Sequence, residues 1–536
     1  MDILLIQPWF CDYYQTSIRA QPLGLMMLRA VLQQRGYQVE IFDFLRGNHR
    51  QTISRPRSFA HLDKQYAVND HSPAALYRQF FRFGRPLAEL IGWIDIHTPR
   101  LIGISALFTA YLSSVGELAS EIRKRYPSIQ LMTGGHAIAA QWLAHRSMPD
   151  FPIDLWVIGE GEPAVGPIAD YLIHRQGKLN SIPNSVYRKR GQWVENPSMP
   201  VAELDELPIP DRTHLFTDQF SPPQLITIVA SRGCPYQCKF CSSADLWGHH
   251  HRMRSIRSLI REIDNCIAQY KIFHYNFEDD NLTYDLDYFH SLLNAIIPLT
   301  KRYQLTFTAM NGINYHALKK ETLNLMVHAG FKSINFSIGT SHRINLKHWQ
   351  RPADLTPLKA ILPFIIEHKL RTTVYFIVGA PDHSVDDDID TLKTLMDMPV
   401  VLGPSIFYLT PGQKLAQSLG LEFPTDNDYY RSTVCYPPEG TYTVSSKLTL
   451  LRMARWVNYL KMNLSNQPPL IPERYRSWLR ITFENQTIPA LLKSSHTAVL
   501  PLDQGVVQKL FSHGRICDLN NIFHSFADIY SYLNDL

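Results

Sequence analysis

Along residues 1–175, short apolar runs alternate with stretches of helical spacing. "ILLIQP" (Ile3 to Pro8) predicts a buried strand closed by a turn, and "PLGLMMLRAVLQQRGY" (Pro22 to Tyr37) carries Leu and Met at helical spacing up to Gly36. "QVEIFDF" returns as a second strand. A basic segment, about Arg46 to Leu90, is expected as a surface insertion. Then follow "LIGISAL", the helical "LSSVGELASEIRKRY", "IQLMTGGH", and "DLWVIGEGE" leading into another helix. Strands that are apolar throughout are buried on both faces, so this alternation predicts a doubly wound parallel sheet.

The pattern then changes. "SIPNSVYRKRGQWVENP" predicts a hairpin turning at Arg-Gly, and "LDELPIPDRTHLFTDQFSPPQ" is Pro- and Asp-rich, as a linker would be. From "LITIVA" (Leu225 to Ala230) the alternation resumes through "IFHYNF", "LTFTAM", "SINFSI", "TTVYFIV" and "PSIFYL". These six strand–helix units suit an incomplete parallel barrel. The tail shows helical spacing in "KLTLLRMARWVNYLKMNL" and "NNIFHSFADIYSYL". The expected organisation is an N-terminal Rossmann-like α/β domain over 1–175, a hairpin and linker over 176–221, a partial (β/α)6 barrel over 222–415 and a mainly helical C-terminal domain over 416–536. That last domain is placed to cap the barrel and help select the substrate.

Composition narrows the function classes. The chain has 536 residues, 45% hydrophobic and 19% charged, which fits packed domains rather than disorder. Its 53 Lys+Arg against 48 Asp+Glu give a net charge of only +5, too little over this surface to indicate nucleic-acid binding. The start "MDILLIQPWF" lacks the basic run of a signal peptide, and no apolar run reaches the roughly 20 residues that cross a bilayer. A cytoplasmic location is expected, where clustered cysteines bind metal more often than they form disulfides.

Three of the seven cysteines, Cys234, Cys238 and Cys241, share "SRGCPYQCKFCSS" directly after the "LITIVA" strand. In α/β folds the carboxyl ends of strands carry the chemistry. Three thiolates admit two readings from the residues alone. With His249, His250 or His251 they would complete a four-ligand zinc site. Alternatively they hold an iron–sulfur cluster with one iron left open. The remaining cysteines, Cys11, Cys266, Cys435 and Cys517, are scattered and read as buried or incidental thiols.

The spacing Cys234-x-x-x-Cys238-x-x-Cys241 after a first barrel strand resembles the radical SAM signature. "PLGL", "GGH" and "GEGE", in that order, resemble the cobalamin-binding domain preceding the barrel in one branch of that family. "WGHHHRMRSIRSLIREI" is also similar to the stretch after the cluster loop in that branch. The resemblance implies a [4Fe-4S] cluster on the three cysteines, with the amino and carboxylate groups of S-adenosylmethionine on the open iron. Phe240 stands where the family packs a side chain against the adenine. Glu278, Asp279 and Asp280 of "FEDDN" stand where it grips the methionine ammonium, although acidic helix capping would also explain them. Gly379, in "FIVGAPDHS", matches a turn close to the adenosyl group, and "YLTPGQKL" matches the Pro-Gly turn after the sixth strand. Thr340, in "SIGTSH", occupies the place of a Glu in relatives.

For cobalamin the resemblance implies contacts from Ser105, Gly134, Gly135, Gly159, Glu160, Gly161 and Glu162; tight strand-to-helix turns are the alternative use of those glycines. No Asp-x-His-x-x-Gly segment occurs, so the lower face of the corrin would lack a protein histidine, and His136 is expected as a satisfied polar residue. The second-cluster cysteines of the methylthiotransferases are missing from the N-terminal region. The implied activity is radical C-methylation of a small-molecule substrate, with a flavodoxin or ferredoxin as electron donor. Ring formation or oxidation is the alternative within the class, and a non-catalytic zinc- or cobalamin-binding regulator the alternative outside it.

Overall fold

The computed structural model describes residues 1–14, 21–66, 70, 72, 74–217, 220, 222–243, 247–352, 354–436, 442–464 and 502–525. It divides into two compact units: Met1–Ile53 with Phe80–Asn281 and Leu409–Tyr430, and Ser54–Gln79 with Leu282–Tyr408 and Arg431–Leu536.

In the first unit, β1 (Ile3–Gln7), β2 (Val39–Asp43), β3 (Leu101–Ser105), β4 (Gln130–Gly134) and β5 (Leu155–Val157) run parallel, and the hairpin β6 (Ser185–Lys189) and β7 (Gln192–Glu195) extends the sheet antiparallel beyond β5. The order is β7-β6-β5-β4-β3-β1-β2. The hairpin turns at Arg190 and Gly191, both at positive φ, which matches the twist of its strands.

Period-two alternation sends side chains to both faces of this sheet. Leu4, Ile6, Ile102, Ile104 and Leu131 pack with Leu112, Val115 and Ile122 of α2 (Leu112–Arg125). On the opposite face Ile3, Leu5, Leu101 and Leu155 pack with Leu25 and Leu32 of α1 (Leu23–Gln34) and with Ile168 of α4 (Glu162–His174). Helix α3 (His136–His145) follows β4. With five parallel strands in the order 2-1-3-4-5, the chain direction switches between β1 and β3, and ligands of such sheets sit at that crevice.

The first unit also contains β8 (Leu225–Ile228) and β9 (His274–Phe277), paired in parallel and joined through α5 (Ile256–Tyr270), which Ser255 caps by accepting from Ser258 N. The second unit carries β10 (Thr306–Thr308), β11 (Ser333–Gly339), β12 (Arg371–Val378) and β13 (Val401–Ile406), alternating with helices that include α6 (Leu286–Tyr303) and α7 (Val385–Met396). Strands β11, β12 and β13 pair in parallel, and a bridge from Phe307 to Phe331 brings β10 alongside. All six strands expected after residue 222 are thus present.

Two expectations change. The segment expected as a surface insertion is packed: Phe59, Leu62 and Tyr66 are buried, and Asp70 forms a buried ion pair of 3.0 Å with Arg452 of α8 (Val444–Leu464). Its basic residues masked an apolar anchor. The stretch from Asn520, expected as helix, instead forms a hairpin pairing Arg515–Cys517 with Phe523–Ser525; residues 526–536 lie outside the described residues. Buried Asp518 accepts from Asn520 N and Ile522 N, and Asn521 adopts positive φ, so turn chemistry overrides helical spacing. No helix among the described residues is long and apolar enough to cross a membrane.

Asp70→Ala leaves the Arg452 guanidinium buried without its counterion. It should destabilise the protein by about 3–5 kcal/mol, read as a lowered urea midpoint, whereas Arg35→Ala, which breaks the exposed pair with Asp170, should change it by less than about 1 kcal/mol.

Candidate functional site

The cysteine loop leaves β8 and is shaped within a few residues. Ser231–Arg232 pairs antiparallel with Arg252–Met253. Gly233 then takes φ of +85°, and a Cβ there would lie 2.4 Å from the His250 carbonyl oxygen, so only glycine makes this turn. Cys238 is buried, Cys234 half-buried and Cys241 exposed, with a turn bond of 3.0 Å from Cys241 N to Cys238 O. His249 and His250 are exposed. Among the described residues no three His, Cys, Asp or Glu side chains form a single-ion site.

Two elements hold this loop. Asp279, just past β9 and fully buried, accepts from Ala230 N at 3.1 Å, Ser231 N at 2.5 Å and Ser231 Oγ at 2.6 Å. Burial pushes its carboxyl up to about 6 in spite of these donors. From the Pro411-Gly412 turn, buried Gln413 donates Nε2 to the Phe240 carbonyl at 2.5 Å, and Leu415 N donates to the Lys239 carbonyl at 2.8 Å.

The other acidic residues do different work. Exposed Asp280 accepts from Ser243 Oγ at 2.6 Å and Gly233 N at 3.3 Å, and half-buried Glu278 accepts from Asn276 Nδ2 at 2.5 Å. Asn281 Nδ2 donates to Cys234 Sγ at 3.7 Å and Ser243 N to Cys241 Sγ at 3.4 Å. Burial pushes the Cys234 thiol up, and nearby Asp280 and Cys238 add to this. A cationic metal centre reverses that preference, and N–H donors to sulfur are what a thiolate-bound cluster uses. The donor set fits an iron–sulfur cluster.

At the carboxyl ends of β1 and β3 lies a cleft of about 50 Å³, whose lining includes Pro8, Trp9, Phe10, Ser105, Tyr111 and Leu107, the last 46% exposed. This aromatic and aliphatic lining stands at the switch point, where ligands of such sheets sit. Gly134 and Gly135 serve the domain's own packing: a Cβ on Gly135, at φ +124°, would sit 2.6 Å from the Ala106 carbonyl oxygen, and one on Gly134 would sit 2.8 Å from Val157 Cβ. Gly159 and Gly161 lie in the turn between β5 and α4, and the carboxylates of Glu160 and Glu162 between and after them are paired with Arg232 and Arg252. His136, at the start of α3, meets Trp247 edge-on at 5.3 Å, and burial lowers its pKa.

In the second unit, Gly379 opens the turn directly after β12 and packs on the stem of Lys447, and its N–H donates to Asp388 at 2.6 Å. The same buried carboxylate accepts from Tyr442 OH at 2.7 Å and His383 Nδ1–H at 3.0 Å. Thr340 is buried and bonds Thr391 Oγ1 at 3.0 Å. One face of these strands carries Thr308, Asn335, Ser337, Thr373 and the partly exposed Tyr375, whose ring lies over Gly403.

Gln413, Asn281, Arg232, Arg252 and Tyr375 were not singled out from the sequence. The signal for the arginines was charge inside a stretch otherwise shaped by strand and cysteines; for Gln413, a polar residue in a buried turn. Asp279→Ala, which leaves three buried donors unsatisfied, should cost about 2–4 kcal/mol in urea unfolding. Gly233→Ala should abolish iron incorporation during anaerobic reconstitution while the far-ultraviolet circular dichroism stays unchanged.

Comparison with known proteins places residues 228–395 in the radical SAM superfamily by its family model. The chain is 25% identical over 394 residues to the cytidylyl-2-hydroxyethylphosphonate methyltransferase of Streptomyces wedmorensis, covering 67% of this chain and 69% of that protein. It is 22% identical over 317 residues to the anaerobic magnesium-protoporphyrin IX monomethyl ester cyclase of Synechocystis sp., covering 58% and 62%. In fold it is similar to the radical S-adenosylmethionine methyltransferase TsrM of Kitasatospora setae, solved with cobalamin and a [4Fe-4S] cluster: the TM-score is 0.62 at 17% identity, covering 79% of this chain and 80% of that one. The chain thus carries a radical SAM domain over residues 228–395, with its cysteine loop directly after β8, preceded by a parallel sheet of order 2-1-3-4-5.

Proposed function

We propose that this chain is a cobalamin-dependent radical SAM methyltransferase that modifies an unactivated carbon of a small-molecule substrate. The observation that carries the reading is the cysteine loop, pinned at the end of β8 by Asp279, with Asn281 and Ser243 donating to two of its sulfurs. When bound, the cluster, S-adenosylmethionine and the corrinoid supply the radical and the transferable methyl group.

The chain's own residues bind and orient. Cys234, Cys238 and Cys241 hold the cluster, with Asn281 and Ser243 donating to two of the sulfurs. Because Asp279 is buried with its oxygens taken by Ala230 and Ser231, Glu278 and Asp280, the accessible members of the acidic run, are assigned to the methionine ammonium. Phe240 is assigned to the adenine, its carbonyl held by Gln413, and the Gly379 turn to the adenosyl group. Ser105 and the aromatic cleft beside it are assigned to the corrinoid, with the turn through Gly159 and Gly161 at its edge. The face bearing Thr308, Asn335, Thr373 and Tyr375 is assigned to the substrate.

The electron donor is a small flavin or iron–sulfur protein such as flavodoxin or ferredoxin. All seven cysteines are free thiols, in keeping with the reducing cytoplasm, where we place the protein. Similarity to the cyclase supports oxidative ring formation as a second reading.

Anaerobic reconstitution should install about four irons per chain. The reduced protein should then release 5′-deoxyadenosine or transfer labelled methyl from S-adenosylmethionine, and Cys234→Ala, Cys238→Ala and Cys241→Ala should each abolish both. Stoichiometric zinc in place of iron, or activity surviving in any one variant, contradicts the assignment. Corrinoid retained through dialysis supports methyl transfer over cobalamin-free oxidation. Incubation with candidate metabolites and methyl-labelled S-adenosylmethionine, read by mass spectrometry, separates methylation from ring formation.

A further inference from the structure

The two carboxylates of the Gly159-Glu160-Gly161-Glu162 turn face two guanidiniums from the ladder that opens the cysteine loop. Glu160 Oε1 lies 3.0 Å from Arg232 and 3.0 Å from Arg252, and its Oε2 lies 2.9 Å from Arg252 and accepts from Val201 N at 2.5 Å. Glu162 Oε1 lies 2.6 Å from Arg232. Arg232 and Arg252 are direct cross-strand partners, so one register presents both. The acids are 5% and 8% exposed and the arginines 23% and 13%. Burial alone would raise the Glu160 carboxyl, and the guanidiniums outweigh it and hold it below the usual carboxylate range.

Such a network is directional. Bidentate guanidinium–carboxylate pairs fix orientation as well as distance, and a desolvated pair loses most when one partner is removed. Arg232 stands two residues before Cys234, while Glu160 and Glu162 stand at the carboxyl face of the sheet, just past β5. A second tether runs parallel: Gln21, just before α1, donates its carboxamide to the Leu225 carbonyl and accepts from Thr227 N at 3.0 Å, holding β8 itself.

We propose that Glu160, Glu162, Arg232 and Arg252 form a positioning latch that sets the cluster loop at a fixed place over the strand ends of the N-terminal sheet. Its work is to hold the distance between the iron–sulfur cluster and a corrinoid on that face. It acts through the backbone of the cluster loop, which Arg232 opens two residues before Cys234. Methyl transfer between the two cofactor sites needs that spacing held closely, because small displacements of reacting groups cost large factors in rate.

The latch itself can be tested on the full chain without cofactors, and its consequence, which rests on the proposed function, on the loaded protein. Without cofactors, Arg232→Met should raise amide hydrogen exchange in residues 233–243 by about tenfold, with β1 and β3 unchanged; Arg232→Lys should recover part of the protection. In the loaded, reduced protein, the magnetic interaction between the reduced cluster and cob(II)alamin, read by electron paramagnetic resonance, should weaken or broaden in Arg232→Met at undiminished iron and corrinoid content. Glu162→Gln, which keeps the Glu160 pairs, should give smaller changes of the same kind and decides the matter if Arg232→Met does not fold. Unchanged exchange, an unchanged magnetic interaction, or parallel loss of iron and corrinoid would each overturn the latch. A wild-type protein that takes up no corrinoid would contradict the function proposed above, while the exchange measurement still decides whether the latch exists.

Discussion

A single buried carboxylate carries much of the site. Asp279 accepts from Ala230 N, Ser231 N and Ser231 Oγ, and so joins the end of β9 to the first residues beyond β8. Three donors converging on a group with 3% exposure leave the loop little freedom before it reaches Cys234. An ionised carboxylate in that place is costly unless its donors are held in register. The β8–β9 pairing, running from Leu225 opposite His274 to Ile228 opposite Phe277, supplies that register. Parallel pairing brings both strand ends to one edge, and Asp279 converts that edge into a fixed origin for the cysteine loop.

From this origin the loop is closed on both sides. Upstream, the Arg232 and Arg252 ladder reaches the acids of the β5–α4 turn; downstream, Gln413 and Leu415 hold the Phe240 and Lys239 carbonyls. Each contact uses backbone groups or charges that the loop, having little regular structure, would otherwise leave unpaired. Two of the three thiols in the loop receive N–H donors, from Asn281 and Ser243. In the second unit, Asp388 performs a similar service for the Gly379 turn.

The fold was legible in the sequence because buried strands announce themselves: Ile3, Leu4, Leu5 and Ile6 are all fully buried, and later strands such as Ser333–Gly339 and Arg371–Val378 keep a buried residue at every second position. Three cysteines in eight positions made the cluster loop visible as well. Misreading arose where a local pattern competed with a distant partner. The segment around Phe59 and Tyr66 is basic enough to suggest solvent, and only its packing against α8 reveals the anchor. The tail after Cys517 has helical spacing but is governed by the Asp518 turn. The roles of Glu160 and Glu162 were hidden for the same reason, since their guanidinium partners lie about 70–90 residues away in sequence.

The central claim is that the three-cysteine loop holds a cluster whose open iron takes S-adenosylmethionine. The most direct measurement is electron paramagnetic resonance of the anaerobically reconstituted, reduced protein with and without S-adenosylmethionine. The account predicts a reduced [4Fe-4S] signal whose shape changes on addition of S-adenosylmethionine, and no such signal from the triple cysteine-to-alanine variant. A cluster signal indifferent to S-adenosylmethionine, or one that persists in that variant, would contradict it.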